Sequence, residues 1–148
     1  DCDVYFVGGT EEDISAFKKE WKNESRIKIV GHQPFELIPL YMQAADILIL
    51  PNSANDEDSS TYTSPMKLFE YMASGTPIIS SDVPSIREIL EENEAVYFGA
   101  DDAQSLSDAI CRMVDRPDFA AQIASRAREK VPRFTWKART TNIINAFS

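Results

Sequence analysis

Short apolar runs recur along the chain: VYFV at 4–7, IKIV at 27–30, ILIL at 47–50, PIIS at 77–80 and VYF at 96–98. Segments of helical pattern separate them. That alternation constrains the fold more than any other feature. Strand–helix–strand order requires parallel crossovers, right-handed by the usual rule, and so predicts an α/β, Rossmann-like parallel sheet with helices on both faces. The ILIL run is apolar at every position, as a central parallel strand covered on both faces should be. Helices are expected from a cap at Thr10 to about 21, over 35–44, over 65–74 with Gly75 as a left-handed cap, around 85–90, and over 104–114, 119–130 and 136–146.

The length of 148 residues suits a single domain with a real core, and the reading is one domain over 1–148. No run is long enough to span a membrane, and no basic region followed by an apolar stretch marks a signal peptide. The chain starts at Asp1 without Met and enters VYFV almost at once, so further sequence upstream is expected. A net charge of −9 disfavours nonspecific binding to nucleic acid or anionic lipid, while allowing a locally positive phosphate pocket. Cys2 and Cys111 are far apart and read as reduced thiols, and His32 is the lone histidine, so a His-rich zinc site is not available.

The candidate site lies around SPMKLFE, residues 64–70. The polar, acidic tract 52–63 before it reads as a mobile loop at the carboxyl end of a central strand, the end at which open α/β sheets bind ligands. Its acids, Asp56, Glu57 and Asp58, match no EF-hand spacing. Ser64 is a good N-cap and Pro65 a natural first helical residue. The N–H groups of Met66 and Lys67 then lack intrahelical partners and face where an anion is favoured. Lys67 opposes the helix dipole there, a cost that an anion such as a diphosphate would offset. Spacing alone leans instead to a surface pair between Lys67 and Glu70 at i,i+3. A carboxylate in an apolar neighbourhood, Glu70 would also suit a ribose diol. Gly8-Gly9 lacks the spaced glycines of a dinucleotide fingerprint and reads as a turn before a helix cap. Gly31, His32 and Gln33 end the second strand and could line a base pocket.

The ordered blocks VYFVGG, RIKIVGHQP, LIPLYMQAADILILPNS, SPMKLFEYMASGTPIISSDVPSIREIL and the stretch from ADDAQSLSDAICRMV to the end resemble the C-terminal half of the retaining GT-B glycosyltransferases of family 4. The resemblance covers essentially the whole chain, and EYMASGTPIISSD is its most specific piece. It implies the nucleotide-sugar-binding domain of a GT-B fold, lacking its first β-α unit. Glu70 matches the second glutamate of the family's E-x7-E motif, which binds the ribose hydroxyls. Ser64, Pro65, Met66 and Lys67 match the diphosphate-binding helix start, and Gly31, His32 and Gln33 the loop lining the base. Tyr62 stands where the first glutamate of that motif is expected, with Thr63 beside it, so both are assigned to the donor sugar. The S-P-x-K-x-x-E form looks like a variant found in polysaccharide-building members.

The implied function is transfer of a hexose or N-acetylhexosamine from an NDP-sugar, UDP or GDP, to a growing polysaccharide or lipid-linked glycan. The resemblance implies no metal and no other cofactor. It places the acceptor with an N-terminal domain outside this sequence, and leaves this piece inactive alone. The enzyme is expected in the cytoplasm, peripheral at the inner face of the membrane when full-length, with no nucleic acid partner. The alternatives are a nucleotide-sugar epimerase of related architecture and a receiver-like signalling module. The latter lacks a phosphoacceptor: Pro51 ends the ILIL strand and Asp46 precedes it.

Overall fold

The computed structural model describes residues 2–55 and 66–147. They form two compact units, residues 1–41 and 42–148. In the first, β1 (Val4–Val7) and β2 (Ile27–Gly31) pair in parallel, with Val4 opposite Ile27 and Phe6 opposite Ile29. Between them runs α1 (Glu11–Glu20). The turn into α1 uses Gly8 and Gly9 at φ 114° and 93°, left-handed backbone that side chains resist. Thr10 then closes a capping box. Its hydroxyl oxygen accepts from the Asp13 N–H at 3.2 Å, and the Asp13 carboxylate accepts from the Thr10 N–H at 3.2 Å. The Thr10 hydroxyl also donates to Asp13 Oδ2 at 2.7 Å, and this bond first, then the one from the Thr10 N–H, holds the Asp13 carboxyl below its ordinary pKa. The order Glu11, Glu12, Asp13 first and Lys18, Lys19 last complements the helix dipole.

Residues 35–44 do not form one helix. Phe35–Leu37 is a 3-10 turn, and α2 (Ile38–Ala44) follows. Pro39 is the physical reason. It has no N–H to give to the carbonyl of Phe35, so α-helical bonding starts only beyond it.

In the second unit, β3 (Leu48–Leu50), β4 (Ile78–Ser81) and β5 (Val96–Phe98) form a parallel sheet in the order β3-β4-β5. Its register sets Leu50 opposite Ser80, and Ile79 opposite Val96. Alternate residues serve opposite faces. Leu50 and Ile78 join a core with Leu68 and Met72 of α3 (Met66–Ser74), Ile86 of α4 (Pro84–Arg87) and Ala127 of α6 (Pro117–Lys130). Ile79, Val96 and Phe98 join another with Ala109 and Met113 of α5 (Ala103–Val114) and with Ala120 and Ile123 of α6. Helices therefore cover both faces of this sheet, as the alternation of runs predicts. The chain closes with α7 (Trp136–Ala146), capped by the Thr135 hydroxyl, which accepts from the Ala138 N–H at 3.2 Å. Among the described residues, no helix is long and apolar enough to cross a membrane.

Polar links pin the edges of this unit. Lys130 Nζ donates to Glu94 Oε2 at 2.8 Å, and only 13% and 12% of the two side chains is exposed, so α6 is tied to the turn before β5. After β4, the Arg87 guanidinium donates to both carboxylate oxygens of Asp82, Nε to Oδ1 at 2.6 Å and Nη2 to Oδ2 at 2.9 Å. That grip holds the Asp82 carboxyl below its ordinary range. Arg87 also lies 3.7 Å over the Tyr97 ring, and burial pushes the Tyr97 hydroxyl up to about 12.

Candidate functional site

The crossover from β3 through α3 to β4 is parallel. It therefore sets the N-terminus of α3 at the carboxyl end of the sheet. Helix α3 is anchored by Leu68 and Met72, both fully buried, and is ended by Gly75 at φ 77°. Beyond the cap, the Thr76 hydroxyl donates to the Met42 carbonyl at 2.8 Å, fixing the approach to β4. The anchored side leaves Met66 and Lys67 exposed at the first turn and Glu70 half-buried one turn further along. A rise of about 1.5 Å per residue puts Glu70 about 6 Å along the axis from Met66.

Lys67 and Glu70 form no ion pair with one another, although each could reach the other on a helix face. The surface-pair alternative left open by spacing is thus not what the side chains adopt. Among the described residues, Lys67 stays free to face an anion at the positive end of α3. The negative charge of Glu70 is felt nearby. Burial first, then Glu70, raises the pKa of the Tyr71 hydroxyl. A half-buried carboxylate beside an apolar wall can accept two hydroxyl donors from a diol.

In the first unit, Gly31 lies at the end of β2 at φ 78°, where an added Cβ would stand 3.3 Å from Ile14 Cδ1. It is followed by His32, exposed, and Gln33, half-buried. Gln33 is oriented from two sides. Its Nε2 donates to the His32 carbonyl at 3.0 Å, and its Oε1 accepts from the Tyr41 hydroxyl at 3.3 Å. Tyr41 went unnoticed in the sequence, because its link to Gln33 depends on the fold of 31–41 and not on any spaced motif. Tyr62, Thr63, Ser64 and Pro65 lie outside the described residues, as does the 56–63 part of the acidic tract.

A further residue without sequence signal is Asp101, after β5. Its Oδ2 accepts from Ser53 Oγ at 3.1 Å, the Ala54 N–H at 2.9 Å and Asn55 Nδ2 at 3.0 Å. It thereby ties the exit of β3 to the exit of β5. ADDAQS displays a helix cap, but nothing in it marks which aspartate turns away from the helix.

Known proteins share this fold. The sequence pattern of the family described as Glycosyl transferases group 1 matches residues 1–116. The chain is 34% identical over 125 residues to the amylovoran biosynthesis glycosyltransferase AmsK of Erwinia amylovora, a match covering 84% of this chain and 30% of AmsK. It is 22% identical over 148 residues to the phosphatidyl-myo-inositol mannosyltransferase of Mycolicibacterium smegmatis, covering 99% of this chain and 36% of that protein. It therefore spans about a third of the length of these relatives. Among solved structures, sucrose-phosphate synthase from Thermosynechococcus elongatus superimposes with a TM-score of 0.77 at 24% identity, over 98% of this chain and 37% of that one. Anabaena Alr3699/HepE in complex with UDP-glucose gives a TM-score of 0.78 at 19% identity, over 98% of this chain and 40% of that one. These likenesses show the fold: the parallel sheets with flanking helices are those of part of a GT-B fold. The family match covers well over half of the residues, and the chain belongs to the Glycosyl transferases group 1 family.

Proposed function

We propose that this chain is the donor-binding part of a retaining glycosyltransferase of family 4. The enzyme moves a hexose or N-acetylhexosamine from UDP or GDP to a growing polysaccharide or lipid-linked glycan. The observation that carries this reading is the start of α3. The first-turn backbone N–H groups of α3, an exposed Lys67 that pairs with no acid among the described residues and a half-buried Glu70 one turn on stand at the carboxyl end of a parallel sheet. In this reading anion-binding N–H groups, a cation and a diol acceptor fall within about one turn of one helix, which suits a nucleoside diphosphate. The amylovoran relative and the neighbour solved with UDP-glucose support the same direction. None of the relatives and neighbours named above is named as an epimerase or a receiver-like module.

In this reading Glu70 accepts from the ribose hydroxyls. Ser64, Pro65, Met66 and Lys67 seat the diphosphate, Gly31, His32 and Gln33 line the base, and Tyr62 and Thr63 meet the sugar. Breaking the sugar–phosphate bond leaves charge on the diphosphate, and donors already aimed there stabilise it most as that charge develops. The helix end and Lys67 supply this stabilisation without a metal. Attack by the acceptor from the side of the departing diphosphate, on an oxocarbenium-like centre, would retain the anomeric configuration. The acceptor site belongs to a domain outside this sequence, so the 148-residue piece alone is proposed to be inactive. The enzyme is proposed to work in the cytoplasm, at the inner face of the membrane.

Calorimetry of the full-length protein with UDP-, GDP- and ADP-sugars tests the reading. Binding is expected for a UDP- or GDP-sugar. Glu70→Ala is expected to weaken it roughly ten- to a hundredfold, the loss of a charged hydrogen-bond acceptor, with an unchanged circular dichroism spectrum. Absence of binding to every nucleotide-sugar, or an unaffected Glu70→Ala, would refute it.

A further inference from the structure

Two neighbouring aspartates after β5 divide their work. Asp102 caps α5, its Oδ1 accepting from the N–H groups of Gln104 at 2.9 Å and Ser105 at 3.0 Å. The Gly99 N–H donates to Ser105 Oγ at 2.8 Å, so the whole turn is braced against the start of that helix. Asp101 turns the other way. One of its carboxylate oxygens collects the three hydrogen bonds from Ser53, Ala54 and Asn55. Ser53 Oγ also accepts from the Asn55 N–H at 3.1 Å, which knits the held segment together.

The backbone of Asp101 is unusual as well. At φ 61° it is the sole non-glycine residue with positive φ among the described residues. Aspartate is one of the few side chains that enter this region at modest cost. Such a conformation persists where its surroundings over-determine it, and it clusters at functional sites. Here two things impose it: the capped helix behind and the triple acceptor in front. Because β4 lies between β3 and β5, the latch crosses the carboxyl end of the sheet. The segment it holds begins the connection whose other end is the first turn of α3.

We propose that Asp101 is a positioning residue for the nucleotide-sugar donor, acting by fixing the exit of β3 from a rigid post at the start of α5. The role rests on the donor-binding reading above. It differs from simple structural support in what it should move. The latch itself is made of polar bonds from one exposed carboxylate, so its loss should act on donor binding more than on stability.

Steady-state kinetics and melting of the full-length enzyme separate these outcomes. Asp101→Gly removes the carboxylate and relieves the left-handed backbone. It is expected to raise the donor KM roughly tenfold, with the acceptor KM and Tm unchanged. Asp101→Asn keeps tolerance of the backbone and one carbonyl acceptor, and is expected to recover most of that loss. An unchanged donor KM in Asp101→Gly would overturn the proposal. So would a fall in Tm accompanied by equal changes in both KM values. Amide exchange at Ala54 tests the latch itself, with roughly tenfold faster exchange expected in Asp101→Gly. Equal exchange in the two proteins would overturn the latch even where donor binding holds. A wild-type enzyme that binds no nucleotide-sugar would instead remove the donor-binding reading, and the positioning role with it, while the exchange result still judges the latch.

Discussion

At the scale of single residues, Lys67 carries an unusual combination of signs. A cation in the first turn of a helix opposes the macrodipole, and here no Lys67–Glu70 pair offsets it. Lys67→Met should therefore leave stability unchanged or raise it by a few tenths of a kcal/mol, while weakening nucleoside diphosphate binding roughly fivefold in the full-length protein. Melting curves and calorimetry read the two effects separately. A fall in both would mean that Lys67 supports the fold instead. The sequence made Lys67 and Glu70 visible through their contrast with the helix dipole and the apolar run around them. Choosing between pair and site needed side-chain positions, because i,i+3 spacing permits either. Tyr41 and Asp101 were hidden for another reason. Each acts on a residue that only the folded loops bring near, Tyr41 on Gln33 and Asp101 on Ser53, Ala54 and Asn55.

At the scale of elements, apolar runs located the strands well, since an all-apolar stretch has few homes except a covered parallel strand. Boundaries moved where proline or a cap overrode the pattern. Pro77, which has no N–H, remains outside β4, though its carbonyl accepts from the Leu48 N–H at 2.9 Å. Helix α5 starts at Ala103 because Asp102 caps it. Gly75 shows how one residue governs the join between two elements. It ends α3 at φ 77°, and an added Cβ would stand 3.3 Å from Arg128 Cδ on α6. The backbone conformation, more than the flexible Arg128 side chain, resists substitution. Gly75→Ala is expected to destabilise the protein by about 1–2 kcal/mol and lower Tm by several degrees. A denaturant titration with unchanged m-value would check it, and an unchanged midpoint would contradict it.

At the scale of the whole molecule, burial is uneven. Every buried apolar side chain among the described residues lies at Met42 or later in the chain. In residues 1–41, α1 buries none of its residues, and Tyr5, Phe6 and Val7 of β1 are 60%, 43% and 36% exposed. That contrast was not legible in the sequence, where VYFV at 4–7 and VYF at 96–98 look alike. Burial depends on what covers a strand, and a run of apolar letters carries no record of its neighbours. The opening free energy of a region follows its buried apolar contacts and the shielding of its hydrogen bonds. Burial of one large apolar side chain is worth about 1.5–3 kcal/mol, so a unit that lacks them opens far more readily than one built on Leu68, Met72, Ile78 and Ile79. Hydrogen exchange of the 148-residue chain should then show β1 and β2 exchanging at least a hundredfold faster than β4, without global unfolding. Protection of β1 equal to that of β4 would show that residues 1–41 share the stability of the core, contrary to this argument.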